Sequence, residues 1–383
     1  MFLLIITAAA AQAAETRTVT DMRGRIVTFP AELQKVAAVD DGLVEEVMAS
    51  FGLIGRLAAV SSRYMTIDVD FVFETVSGKK IARHGFDALR FMHPRLAELP
   101  SFQGLEGGPP NLEILAQVQP DLVILRAGDC AVNRDETHLA KTIEAIEAAG
   151  WPLVVLNAPG VCGADITAIR DEIVLLGEVF DRRNEAEELA GYLAGIENDA
   201  RTRVSLIPDD QKVSMLYMGL ASFLRRMSAT ASAMGSDAPI SYLMETLVNA
   251  KNAYPGHGFG VHLSTEQLYA LDPDVIVLSP LGGYHPPQEL YEAPDFADLS
   301  ELKAIKNRRV YAMPWTPGFC APRLEYPLDI LVMAKAAYPD RFSDFNVYDF
   351  ALDFYQKIYK VDANTAKGLR STQMLDWMAD EKF

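Results

Sequence analysis

Six short stretches of this 383-residue chain gather side chains able to grip a small molecule, and each follows an apolar run. In the first half they are Asp40-Asp41, Arg63-Tyr64 and Arg126 to Cys130, which offer Asp41, Tyr64, Arg126 and Cys130 as candidates. In the second half Phe223 to Arg226 offers Arg225 and Arg226, and Gly283 to His285 offers Tyr284 and His285. The last stretch, Trp315 to Arg323, offers Trp315, Phe319 and Arg323. A guanidinium is a rigid fork that holds planar anions through two parallel hydrogen bonds. Trp315, Tyr284 and Phe319 can stack on a planar or macrocyclic surface. Taken singly, each reads equally well as a solvated loop charge or a core aromatic. As a set at strand ends they point to binding.

The motifs of covalent chemistry are missing. There is no HExxH, no GxSxG elbow, no GxxxxGK[ST] phosphate loop and no CxxC. Gly256-His257-Gly258-Phe259-Gly260 neither follows a strand nor opens a helix, so it reads as a loop rather than a dinucleotide site. The six histidines show no i, i+4 pairing, which argues against a tight zinc site. No catalytic residue and no intrinsic cofactor or metal is assigned.

The elements that must position the stretches announce themselves by a repeat. Asn111 to Leu125, NLEILAQVQPDLVIL, returns 153 positions later as STEQLYALDPDVIVL, Ser264 to Leu278. Each copy reads as a short amphipathic helix, a Pro-Asp turn and a buried strand. So wide a spacing suggests two similarly built lobes rather than a solenoid. Around the first copy, Thr16 to Pro30 alternates as a hairpin about Arg23-Gly24. Strands are expected at Lys35–Val39, Arg56–Ser61 and Pro152–Leu156, with helices at Leu43–Phe51 and Glu136–Ala149. Residues 62–110 read as a decorated loop with short helices. Residues 165–203 stay helical almost without breakers, as one stiff connector or as two helices kinked near Asp181–Asn184. The second half expects strands at Lys212–Tyr217 and Arg309–Met313, a helix at Pro239–Leu247 and a helical tail. Alternating strands and helices imply an α/β fold whose mostly parallel sheets are covered on both faces, with a crevice at the strand ends.

A net charge of −17 argues against nucleic acid and anionic membranes as partners. The N-terminus, MFLLIITAAAAQAAE, resembles a secretory signal cut near Ala13 or Ala14, though it lacks a basic start. An exported chain with Cys130, Cys162 and Cys320 is compatible with one disulfide and one thiol. Cys130 and Cys162 end successive loops and are the expected pair; free thiols, or thiolate or His285 ligation of iron, stay open as alternatives.

The sequence also resembles the helical-backbone periplasmic binding proteins that feed ABC importers with iron-siderophores, haem or cobalamin. The carriers are TDMRGRIVTFP, KVAAVDDGLVEEVMASFGLIGRLAAV, the two repeat copies, LKAIKNRRVYAMPW and Tyr338-Pro339-Asp340. The resemblance implies two lobes joined by one long helix, a largely pre-formed cleft between them, and no chemistry on the cargo. It divides the chain into a signal peptide (1–14), a first lobe (15–164), the connector (165–203) and a second lobe with C-terminal helices (204–383). It also implies that Glu113 and Glu266, the repeated glutamates, dock onto arginines of the permease. Independently, each sits near a helix start, where the dipole favours a carboxylate.

The expectation is therefore a monomeric, soluble periplasmic binding protein that captures a metal chelate, an iron-siderophore first, and hands it to ABC permease subunits. Cobalamin and haem are the alternatives within the class. A metal-cluster or chelatase-like two-lobed enzyme is the rival of another class, disfavoured by the signal peptide and by having only three cysteines. A zinc or manganese binder is disfavoured by the dispersed histidines.

Overall fold

A computed structural model of the chain describes residues 15–61, 65, 68–101, 111–129, 136–159, 168–220, 229–280, 286–315 and 321–383. Its first element is the expected hairpin, β1 (Thr16–Thr20) against β2 (Ile26–Pro30), turning where Gly24 takes a φ of 77°. Then the α/β rhythm sets in: β3 (Val36–Val39), α1 (Leu43–Ser50) and β4 (Leu57–Val60). A second hairpin follows, β5 (Val69–Glu74) paired antiparallel with β6 (Lys80–Gly85), and then the short helix α2 (Ala88–Met92). The rhythm resumes with α3 (Leu112–Val118), β7 (Leu122–Ala127), α4 (Glu136–Ala148) and β8 (Leu153–Asn157).

Strands β4, β3, β7 and β8 lie in that order in one fully parallel sheet. Its strands are apolar on both sides, as a sheet covered by helices on both faces requires. Val36, Ala38, Leu122 and Ile124 enter the main core, while Ala37, Val39, Val123 and Leu125 face a second core with Leu115 and Ile146.

Within the expected loop region, residues 68–101 form regular structure, with the β5–β6 ribbon at its centre. The connector also differs from a single long helix. It is two helices, α5 (Ala168–Phe180) and α6 (Arg183–Val204), which pack on each other. The break falls at Asp181, whose φ of 58° is left-handed and ends the first helix. Gly177 makes the close return possible, since a Cβ there would lie 2.3 Å from that of Ala186.

The second half builds β9 (Ser214–Gly219), β10 (Ala231–Ala233), β11 (Lys251–Asn252), β12 (Val261–Leu263), β13 (Val275–Leu278) and β14 (Val310–Ala312). The path is β12-β10-β9-β13-β14, with β11 beside β9. The β9, β11, β13 and β14 pairings are parallel and those of β10 antiparallel. Loop 249–263, expected to be irregular, thus supplies two short strands. Behind this sheet lies helix Tyr326–Ala337, apolar nearly all round and buried along almost its whole length. Helices Val347–Tyr359, Ala363–Thr372 and Trp377–Glu381 complete the tail. The fold is α/β with two lobes.

The structure explains the repeat. Helix Thr265–Leu271 and β13 match α3 and β7 position for position. Leu115 and Leu268 are both fully buried, and Gln119 and Asp272 both close their helices in the left-handed region. The Pro-Asp turn is a clamp on the neighbouring strand. Asp121 donates its N–H to Lys35 O (2.8 Å) and its carboxylate accepts from the N–H groups of Gln34 and Lys35 (2.7 and 2.8 Å). Asp274 does the same for Ser214 in the other lobe, at 2.9 Å in both directions. Asp121→Ala and Asp274→Ala should therefore each lower stability by about 1–2 kcal/mol, the range for charge-assisted bonds to backbone. Urea unfolding of both variants checks this; a loss in only one would mean the two turns are not equivalent.

Candidate functional site

The end of β3, the end of β7 and the segment 321–326 beyond β14 come together where the two lobes meet, through Asp41, Asp129 and Arg323. At the end of β3, Asp40 and Asp41 are buried. Asp40 accepts from the N–H groups of Gly42 (3.1 Å) and Val44 (2.8 Å), fixing the entry to α1. Its backbone oxygen accepts from Ser61 Oγ at 2.7 Å, which ties β3 to β4. Asp41 N–H donates to Asp129 Oδ2 at 3.0 Å, which ties β3 to β7. The floor of the first lobe is thus stitched by its own carboxylates.

The described site candidates lie at this junction but are turned inward. Arg126, at the end of β7, has no solvent exposure. Its Nε and Nη2 hold both oxygens of Glu172 on α5 at 2.7 Å, and Asp129 stands 3.5 Å from Nη1. Arg323 is 3 % exposed and reaches Asp87 at 3.1 Å, Glu46 at 3.5 Å and Asp41 at 3.6 Å. Trp315 is 2 % exposed and packs against Gly85. Asp41, Arg126, Trp315 and Arg323, named as ligand candidates from the sequence, are thus all buried among the strand ends in this structure. The reason is electrostatic for the arginines: buried acids outnumber them here, and each guanidinium is drawn to the carboxylates. Tyr64, Cys130, Cys162, Arg225, Arg226, Tyr284, His285 and Phe319 lie outside the described residues, as does the expected signal segment.

The partners were not foreseen, although signals existed. Glu172 falls on the apolar stripe of α5 between Ile169, Ile173 and Leu176, and Glu45-Glu46 interrupts an apolar run in LVEEVM. A carboxylate on a core-facing stripe calls for a buried cation. Burial raises these acids. It pushes Glu172 up to about 7 despite Arg126, with Asp129 and Asp40 adding to the rise. Burial, then the neighbouring Asp40, holds Glu45 well above the carboxylate range, and burial, then Glu325, does the same to Glu46.

The docking candidates are placed differently. Glu113 and Glu266 are both exposed, each in the first turn of its helix. Asn111 caps the first helix by accepting from Glu113 N–H at 3.0 Å. Ser264 forms a full capping box with Gln267, and its Oγ donates to Glu266 at 2.7 Å, lowering the Glu266 pKa. Among the described residues no group of three or more His, Cys, Asp or Glu is placed to hold a metal ion, and no helix is long and apolar enough to cross a membrane.

The two lobes of this α/β frame are joined at Arg323, whose carboxylate partners lie in the first lobe. Residues 101–316, more than half of the chain, match the family model of a periplasmic binding protein, and the chain belongs to that family. No curated protein matches it in sequence. Among solved structures it is similar to a periplasmic solute binding protein of Veillonella parvula, with 22% identity over 96% of this chain and 100% of that one, at a TM-score of 0.72. It is also similar to the molybdate periplasmic binding protein MolA of Haemophilus influenzae, with 20% identity over 90% of this chain and 98% of that one, at a TM-score of 0.66. A third is Helicobacter pylori CeuE in complex with Ni-His, with 17% identity over 92% and 99%, at a TM-score of 0.60.

The Arg126–Glu172 pair gives a pH signature. A carboxyl raised from 4.5 to about 7 in the fold contributes stability that is present below about pH 4.5 and lost as pH rises through about 7. Glu172→Gln removes that titration. Its stability between about pH 5 and pH 7 should fall less steeply than that of the wild type, by up to about 1.4 kcal/mol per pH unit. Urea midpoints across this range decide; parallel curves would mean Glu172 keeps an ordinary pKa.

Proposed function

We propose that the chain is the exported binding component of an ABC importer, that it captures a metal chelate between its lobes, and that it delivers the chelate to the membrane permease. The observation carrying this reading is the match of residues 101–316 to the periplasmic binding protein family on an α/β frame with two parallel-strand sheets. In an open α/β sheet, ligands sit outside the carboxyl ends of the strands. An iron-siderophore is the preferred cargo, with cobalamin or haem next. Arg225 and Arg226 suit anionic chelates, and Tyr284 and Phe319 suit a planar one. The relatives with molybdate and with Ni-His agree with a small metal-containing cargo and differ from each other in its chemistry.

Delivery needs a docking signal on each lobe. Glu113 and Glu266 supply one: equivalent, exposed, and held on equivalent capped helices. Charged rim residues of this kind set register and association rate more than affinity. The double variant Glu113→Arg plus Glu266→Arg should cut chelate uptake at least ~10-fold while ligand binding to the isolated protein is unchanged, the pattern of a lost electrostatic contact. Uptake at the wild-type rate would remove the docking role. For the cargo, emission of Trp151, Trp315 and Trp377 titrated with siderophores, haem and cobalamin should respond to one class only. A response to none would remove the chelate reading.

A further inference from the structure

The lobes meet a second time, away from the α5–α6 connector, along one continuous stretch of the first lobe. At the tip of the β5–β6 hairpin, Val76 N–H donates to the backbone oxygen of Glu292 at 2.8 Å. Glu292 ends helix Pro287–Glu292, which packs on β14 of the second sheet. At the hairpin's base Gly85 lies flat on Trp315, just beyond β14; a Cβ there would sit 3.0 Å from the indole and 2.4 Å from Met374 Cε. Two residues on, Asp87 receives Arg323. Its Oδ2 accepts from Nη1 at 3.1 Å while its Oδ1 caps α2 by accepting from Leu89 N–H at 2.8 Å.

Arg323 is the deepest of these contacts. Its guanidinium lies against the β3–α1 turn so closely that a Cβ on Gly42 would stand 2.7 Å from Cζ, and Gly42 holds a φ of 123°. The residues after it continue the theme. Leu324 N–H donates to Glu46 at 2.8 Å, Glu325 accepts from Tyr359 Oη at 2.6 Å, and Tyr326 Oη donates to Glu197 on α6 at 3.3 Å. Four successive residues thus join the second sheet's edge to the first lobe, the C-terminal helices and the connector. A buried guanidinium among fixed carboxylates tolerates little displacement, since moving it leaves charge unpaired in a low dielectric.

We infer that residues 76–87 form a second connection between the lobes, with Arg323 as the positioning residue that anchors it and sets the lobes' relative orientation. Building on the proposed function, this second connection also fixes the separation of Glu113 and Glu266 that a permease would meet. The hairpin's antiparallel ladder keeps this connection stiff.

The test measures the Glu113–Glu266 separation in the full chain, without ligand or permease. Spin labels are placed through bio-orthogonal amino acids, leaving the three cysteines alone. The wild type should give one narrow distance distribution. Arg323→Met, which keeps the aliphatic stem, should at least double its width with circular dichroism unchanged, and Arg323→Lys should restore part of the narrowness. A folded Arg323→Met with the wild-type width overturns the inference. Should Arg323→Met not fold, Asp87→Asn leaves the guanidinium in place and removes the nearest carboxylate among the described residues; broadening then supports the second connection and an unchanged width overturns it. Docking is read by uptake, so either idea can fail while the other stands.

Discussion

A guanidinium withdrawn from water must find carboxylates, and the junction of this protein is organised by that demand. Removing one partner of a buried ion pair destabilises by several kcal/mol, about 3–5, because the other charge is stranded. Here two arginines stand at the strand ends, Arg126 on Glu172 and Asp129, Arg323 on Asp87, Glu46 and Asp41. Acids exceed bases, so burial keeps Glu45, Glu46 and Glu325 biased toward their neutral forms. Asp329 follows the same rule, raised first by burial and then by Glu325. The positions of β3, α1 and β7 in one lobe, of α5 in the connector, and of the segment 321–326 beyond β14 in the other lobe follow from satisfying these groups together.

Much of the fold was legible in the chain because its signals are local. The repeat, the Pro-Asp turns and the runs KVAAV and DVIVL each carry period and punctuation within a dozen residues. The β5–β6 ribbon was hidden by the aromatic and charged mixture around it, although Thr75-Val76-Ser77-Gly78 is a turn flanked by alternating residues. For the connector the sequence left one helix and two kinked near Asp181–Asn184 both open, and the left-handed φ of Asp181, a non-glycine residue, decides for two. The site was less legible than the fold. Arginines after a strand look alike whether they face a ligand or a buried acid, and the deciding partners lie 46 residues away for Arg126 and more than 200 for Arg323. The exposure of Glu113 and Glu266 was legible, because a place in a capped first turn is a local property.

Fold and cargo are separate questions here. The same two-lobed frame accommodates distinct small molecules, since specificity is written in the turns beyond the strands rather than in the sheets. The carboxylate-rich junction therefore serves as a rigid floor.

Native mass spectrometry of the mature protein isolated from its own periplasm tests the central claim most directly. The account predicts one added small molecule per chain, with the isotope pattern of a bound metal and lost on denaturation. A chain that carries only a metal-free molecule, and that takes up no chelate when offered one, would contradict it.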